Sequence, residues 1–217
     1  MQRLLSCALL FVAASCSSLG SGGQWSDLSS ADSWRGYRKD AVPAPWVFDG
    51  GTIHLTGGGA GDLMTVESYG SFDLELEWKI SPGGNSGIMW RVTEDQNAPY
   101  MTGPEMQVLD NGGHGDGRNP KTSAGSNYAL HAPPEDVTRP VGEWNQVRIL
   151  ADGANVTYWL NGEEQCAFEL WGEEWNALVA GSKFANWPRF GKNVAGHIVL
   201  QDHGNEVWYR NLRIRRL

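Results

Sequence analysis

The stretch Gln146-Val147-Arg148-Ile149-Leu150-Ala151-Asp152-Gly153-Ala154-Asn155-Val156-Thr157-Tyr158-Trp159-Leu160-Asn161-Gly162 decides the fold. Val147, Ile149 and Ala151 alternate with Gln146, Arg148 and Leu150, and after Asp152-Gly153 the alternation resumes with Val156, Tyr158 and Leu160. A period of two puts one set of side chains in a core and the other on an open face, and Asp-Gly and Asn-Gly favour tight hairpin turns. The stretch predicts a β-hairpin followed at once by another turn.

The same pattern spreads outward. Leu74, Leu76, Trp78 and Ile80 alternate with Asp73, Glu75, Glu77 and Lys79, and a final strand over 207–214 sets Leu212 and Ile214 against Asn211 and Arg213. Turn residues recur at Asp49-Gly50-Gly51, Gly57-Gly58-Gly59, Pro82-Gly83-Gly84-Asn85, Asn111-Gly112-Gly113 and His203-Gly204-Asn205. Many short strands between Gly-rich turns predict an all-β sandwich or jelly roll of two antiparallel sheets. Residues 170–184 break the pattern: Trp171, Trp175, Leu178 and Val179 fall at i, i+4, i+7 and i+8, the stripe of one short amphipathic helix.

Length and charge narrow the function. At 217 residues the chain suits one well-cored domain. With a net charge of -8, the chain does not offer the clustered Lys and Arg that neutralise phosphates, which argues against nucleic acid as a partner. Arg3, the apolar run from Leu4 to Val12, and Ala13-Ala14-Ser15-Cys16 read as an export signal too short to span a bilayer. Cys16 after small residues resembles a bacterial lipobox, with Ala13 where Leu is commonest. The expected organisation is a signal peptide over 1–15, lipidation at Cys16, a flexible Ser/Gly tether over 16–24, and the folded domain over 25–217. The membrane is then met only through the anchor, at a bacterial cell envelope facing periplasm or exterior. Cys166 is left without a disulfide partner and reads as a small buried hydrophobe.

Two segments offer polar faces. In Glu105-Met106-Gln107-Val108-Leu109-Asp110, Met106 and Val108 point inward while Glu105 and Gln107 point out, with Leu109 an apolar exception on that outer face. In His197-Ile198-Val199-Leu200-Gln201-Asp202-His203, Ile198 and Leu200 point in, and Gln201 and His203 out. If Ile88 and Trp90 are core, Met89 and Arg91 join that polar face. Glu105, Gln107, Gln201, His203 and Arg91 in one cleft, flanked by some of the eleven Trp residues, would suit a sugar: amides and carboxylates grip hydroxyls while aromatic planes cover C–H patches. Glu75 and Glu77 read instead as a solvated sheet face. No paired-Cys, His-Glu-x-x-His or Gly-x-Ser-x-Gly motif is present. A divalent metal held by Glu105 or Asp110 with His114 or His203 stays open.

Taken together and in order, these residues and six further motifs resemble the 3-keto-disaccharide hydrolase family, from about Phe48 to Leu217. The motifs are Gly84-Asn85-Ser86-Gly87-Ile88, Asn119-Pro120-Lys121-Thr122-Ser123-Ala124-Gly125, Gly142-Glu143-Trp144-Asn145, Tyr158-Trp159-Leu160-Asn161-Gly162, Gly196-His197 leading into Gln201-Asp202-His203-Gly204, and Trp208-Tyr209-Arg210-Asn211-Leu212. The resemblance implies a concanavalin-like jelly-roll sandwich, bacterial export, and cleavage of 3-keto-glucosides by removal of the C2 proton, elimination at C1 and hydration of the glucal. Under it the base is His203 or Glu105, the enolate stabiliser Arg91 or Lys121, and the proton donor Tyr128 or His114, with Gln107, Asp110 and Gln201 holding substrate. Two rivals remain: a non-catalytic carbohydrate-binding module, and a laminarinase-type glycosidase, against which Gln107 and Asp110 stand where that mechanism needs carboxylates.

Overall fold

A computed structural model describes residues 23–217; the expected signal, Cys16 anchor and nearly all of the tether lie outside them. Thirteen strands are found among the described residues: β1 Ser26–Asp27, β2 Trp34–Gly36, β3 Trp46–Asp49, β4 Thr52–Leu55, β5 Leu63–Thr65, β6 Phe72–Ile80, β7 Asn85–Val92, β8 Glu105–Leu109, β9 Asn145–Asp152, β10 Asn155–Leu160, β11 Glu163–Glu169, β12 His197–Leu200 and β13 Val207–Arg216. An eight-stranded sheet runs β11-β10-β9-β6-β13-β4-β3, with β1 added alongside β13, and a five-stranded sheet runs β2-β5-β12-β7-β8. Every strand pairing is antiparallel. The predicted jelly-roll sandwich is the fold.

The decisive hairpin forms as read, with Asp152 opposite Asn155 across β9 and β10. At the next turn Asn161 and Gly162 both take positive φ, 52° and 90°, the signature of a two-residue hairpin turn that asparagine and glycine tolerate. Leu74, Leu76, Trp78 and Ile80 are buried, as are Ile149, Tyr158, Leu212 and Ile214. They meet Ile88, Trp90, Met106, Val108, Ile198 and Leu200 of the smaller sheet in one core. Leu109 joins that core too, so it is no exception on the outer face. Two buried polar contacts cross between the sheets: Trp90 Nε1 donates to the Tyr158 hydroxyl at 2.6 Å, and Ser86 Oγ and the Tyr209 hydroxyl lie 2.7 Å apart. A buried indole N–H or phenol without a partner would cost about 1–3 kcal/mol, so these bonds also fix how the sheets register.

The helix α1, Glu173–Ala180, is the one α-helix among the described residues. Trp175 is its buried anchor, but Trp171 stands outside it with φ of 67° and a third of its surface exposed. The helical stripe therefore starts one turn later than its spacing suggests, because Gly172 serves as the N-cap. Cys166 is a buried free thiol, as expected, and burial pushes its pKa up to about 11.

Candidate active site

The outer face of the five-stranded sheet carries the cavity. In register, Gly87 of β7 lies opposite Gln107 of β8, and the Gln201 amide donates to the Gly87 carbonyl at 2.9 Å, so β12 prolongs its pairing past Leu200. Gln201, Gly87 and Gln107 form one row across three strands. A Cβ on residue 87 would collide with the Glu105 carboxylate, so that carboxyl lies in the space that Gly87 leaves. With its amide turned to face its acceptors, Gln107 donates to the Ser86 carbonyl at 2.7 Å and to Glu105 Oε1 at 3.3 Å.

Loops close the walls. The segment 125–128 runs as an extra edge along β8, with the Gln107 amide donating to the Ser126 carbonyl and the Tyr128 amide to the Glu105 carbonyl, both near 3.0 Å, which brings the Tyr128 ring over the sheet. The Tyr128 hydroxyl donates to Asp116 Oδ2 at 3.2 Å, and burial with the nearby Asp116 and Glu105 charges pushes its pKa up to about 12. His203 is presented by a turn that Asp202 pins. The Asp202 carboxylate accepts from the Gly61 and Gly204 amides, while its own amide donates to Asp62 Oδ1. Opposite stands the loop after α1. Its Lys183 ammonium lies 4.3 Å from the Tyr128 ring centroid, and Phe184 and Trp187 complete a wall with Tyr100.

This wall is anchored by stacked aromatic rings. His131, Phe168, Trp175, Phe190 and Phe184 follow one another with near-parallel planes, the closest pair, Phe184 and Phe190, 3.8 Å apart. Aromatic stacking adds about 0.5–1.5 kcal/mol per pair beyond area burial. The stack joins β11, α1 and the loop, and so fixes where Lys183 stands.

The cavity is about 300 Å³, lined by Asn85, Tyr100, Glu105, Gln107, Tyr128, Lys183, Phe184, Trp187, Gln201 and His203. Glu105 is its single acidic lining residue. Burial pushes the Glu105 pKa up to about 8; the Lys183 charge pulls the other way, and Asp62 and Asp116 add to the rise. Asp62 is itself raised to about 6, chiefly by burial. Asn85 Oδ1 is buried without a hydrogen-bond partner among the described residues, although its residue lines the cavity. Buried acceptors are ordinarily paired, so this oxygen is an available contact for a ligand hydroxyl.

Five of the sequence-predicted site residues thus line one space: Glu105, Gln107, Tyr128, Gln201 and His203. His114 stands at its border, 6.2 Å from His203 between ring centroids, with Nδ1 accepting from the Asp116 amide. Arg91 does not join them. Its φ of 51° sits at an irregularity where β12 pairs with β7, and the guanidinium donates to the carbonyls of Gly70 and Gly153, beside the Trp90 and Trp171 rings. Strict alternation cannot foresee a bulge, which sends the next side chain to the other side. Asp110 is also elsewhere, its carboxylate accepting from the amides of Gly83, Gly112 and Gly113 in a turn. Lys121 is exposed on a short 3-10 turn outside the cavity. Among the described residues no three His, Cys, Asp or Glu side chains converge as a metal-ligand group, and of the two carboxylates considered for a metal Asp110 is taken up by its turn.

Lys183 and the aromatic wall were not legible as site residues. They sit on short 3-10 turns and loops without alternation, and the stack beneath Phe184 forms only from residues far apart in sequence.

The profile of the 3-keto-alpha-glucoside-1,2-lyase-like domain matches residues 24–215. A 3-keto-disaccharide hydrolase from Bacteroides thetaiotaomicron is 36% identical over 223 residues, covering 88% of this chain and 77% of that protein. The solved structure of a candidate glycosyl hydrolase from Parabacteroides distasonis superposes with a TM-score of 0.82 at 31% identity, over 90% of this chain and 94% of that one. A second candidate glycosyl hydrolase from the same organism has a TM-score of 0.70 at 23% identity, covering 89% of this chain and 100% of that one, and bears on the fold alone.

Proposed function

The chain belongs to the 3-keto-alpha-glucoside-1,2-lyase-like domain family, and from that premise we propose that the Glu105 cavity cleaves 3-keto-glucosides by elimination and rehydration. A ketone at C3 acidifies the hydrogen on C2. Glu105 takes that proton; electrons move into the C3 carbonyl as an enolate, then return to form the C1–C2 double bond as the C1 oxygen departs. Water adding across that bond completes net hydrolysis.

The observation that carries this reading is a lone buried carboxyl whose pKa is pushed up to about 8, with one ammonium in the same cavity. A base matched to near-neutral pH transfers protons best, and a positive charge beside a developing oxyanion in a desolvated site is stabilised far more strongly than in water. Lys183 takes the enolate-stabilising part that sequence reading gave to Arg91 or Lys121. Tyr128 is the donor to the leaving oxygen, and His203 is the second proton-transfer group. Asn85, Gln107 and Gln201 hold sugar hydroxyls, and Tyr100 and Trp187 cover its apolar face.

A retaining glycosidase needs two carboxyl groups about 5 Å apart, and the cavity lining contains one. The test is incubation of the purified protein with a 3-keto-glucoside and with 3-keto-trehalose, following the glucal by absorbance and mass. Glu105→Ala and His203→Ala are each expected to depress turnover about 10²–10⁴-fold. Full activity in both variants sinks the assignment, and tight glycan binding without turnover of any keto-sugar would make the fold a binding module. Export with lipidation at Cys16 belongs to the same proposal, and intact-mass measurement on the membrane fraction tests it: an unmodified Cys16 removes the anchor.

A further inference from the structure

The opposite side of the sandwich carries a larger groove, about 940 Å³, on the outer face of the eight-stranded sheet. Its floor is a straight row of laterally paired residues: Trp159 of β10 faces Arg148 of β9, which faces Glu75 of β6, then Arg213 of β13, then Asp27 of β1. At about 4.8 Å between strands, this row spans roughly 19 Å. Its charges alternate and cancel. Glu75 is paired with Arg213, and Arg148 with the buried Asp73.

An indole stands at each end. Trp159 lies against the Arg148 guanidinium at 4.9 Å, and Trp25 against those of Arg213 at 4.7 Å and Arg215 at 4.8 Å, so cations of the sheet back both rings. Neither indole N–H has a hydrogen-bond partner among the described residues, and neither has the exposed side-chain amide of Gln146 in the next row. A charged ligand would have to break existing ion pairs. A neutral, polyhydroxylated one would not: it can rest C–H patches on the two rings and bond the free amide and indole donors.

From this we infer that the groove is a second binding site, for a neutral oligosaccharide lying across the strands, separate from the Glu105 cavity and on the other face of the molecule. The function is retention: the groove holds a glycan chain while the cavity acts on a soluble glycoside. Its recognition does not depend on the chemistry proposed for Glu105.

The probes are three uncharged tetrasaccharides, cellotetraose, maltotetraose and laminaritetraose, titrated calorimetrically into the full-chain protein. At least one is expected to bind saturably, and Trp159→Ala and Gln146→Ala to weaken that binding about tenfold or more, with circular dichroism confirming that each variant is folded. Trp187→Ala, in the cavity, is expected to leave this binding intact while lowering turnover of a 3-keto-glucoside, and Trp159→Ala to do the reverse. No saturable binding by any of the three, binding unchanged in both groove variants, or binding lost in Trp187→Ala alone overturns the inference. Concentration-dependent dimerisation abolished by Trp159→Ala would assign the face to a second copy of the chain and overturn it equally.

Discussion

The two outer faces of this sandwich treat carboxyl groups in opposite ways. On the eight-stranded sheet, Asp73 has no exposed surface, and burial alone would raise its pKa, yet hydrogen bonds from Arg148 and Arg215 hold it below the usual carboxylate range. On the five-stranded sheet, Glu105 is nearly as buried, but the Lys183 charge acts on it through the field and not through a hydrogen bond, and its pKa rises to about 8. Burial is common to both; the paired guanidinium is not. A carboxyl becomes a near-neutral base where the fold withholds its counterion.

The most drastic way to break the contrast is Glu105→Gln. Turnover should fall about 10²–10⁴-fold. Stability should move the other way. Burial favours the protonated acid, so the folded state loses stability as pH rises from about 4.5 to about 8, a few kcal/mol in all, and no more above that. Thermal melts should coincide for the variant and the parent near pH 4, and the variant should melt several degrees higher at pH 8. Equal melting at both values would mean that Glu105 is ionised at little cost.

On the other face, Asp73→Asn should destabilise by about 2 kcal/mol, less than a fully buried pair because both guanidiniums remain about a third exposed. Here the sign reverses: the stabilisation is present above the ordinary aspartate pKa and fades as pH falls through the lowered one, so denaturant midpoints of variant and parent should converge in acid.

Lys183→Met sharpens the cavity side. With its charge gone the Glu105 pKa should climb further, moving the ascending limb of kcat/KM to higher pH and lowering turnover about 10–100-fold. An unmoved limb would detach Lys183 from the carboxyl. The smallest effect is expected from Gly87→Ala, whose Cβ would displace the Glu105 carboxyl: activity about tenfold lower, and stability down by about 1 kcal/mol from overpacking.

Much of this was legible beforehand because alternation is local. The hairpin through Asp152-Gly153, the core faces of β6 and β8, and the outward set of Glu105, Gln107 and Gln201 follow from a side-chain period of two, which any strand obeys, whereas His203 reaches the same cavity on a turn beyond the end of β12. Asp73 was legible only as an outward residue; nothing in β6 tells that Arg148 and Arg215 would converge on it from two other strands.

By itself, then, the sequence determined the architecture, the strand faces and a polar set fit for sugar, since each depends on neighbours a few residues apart. Only the tertiary structure decided that Arg91 turns away at a bulge, that Asp110 serves a turn, and that Lys183 stands in the cavity behind a stack of rings drawn from residues 131 to 190. Those outcomes depend on contacts between distant segments, and a proton's affinity for Glu105 is set by what those segments leave beside it.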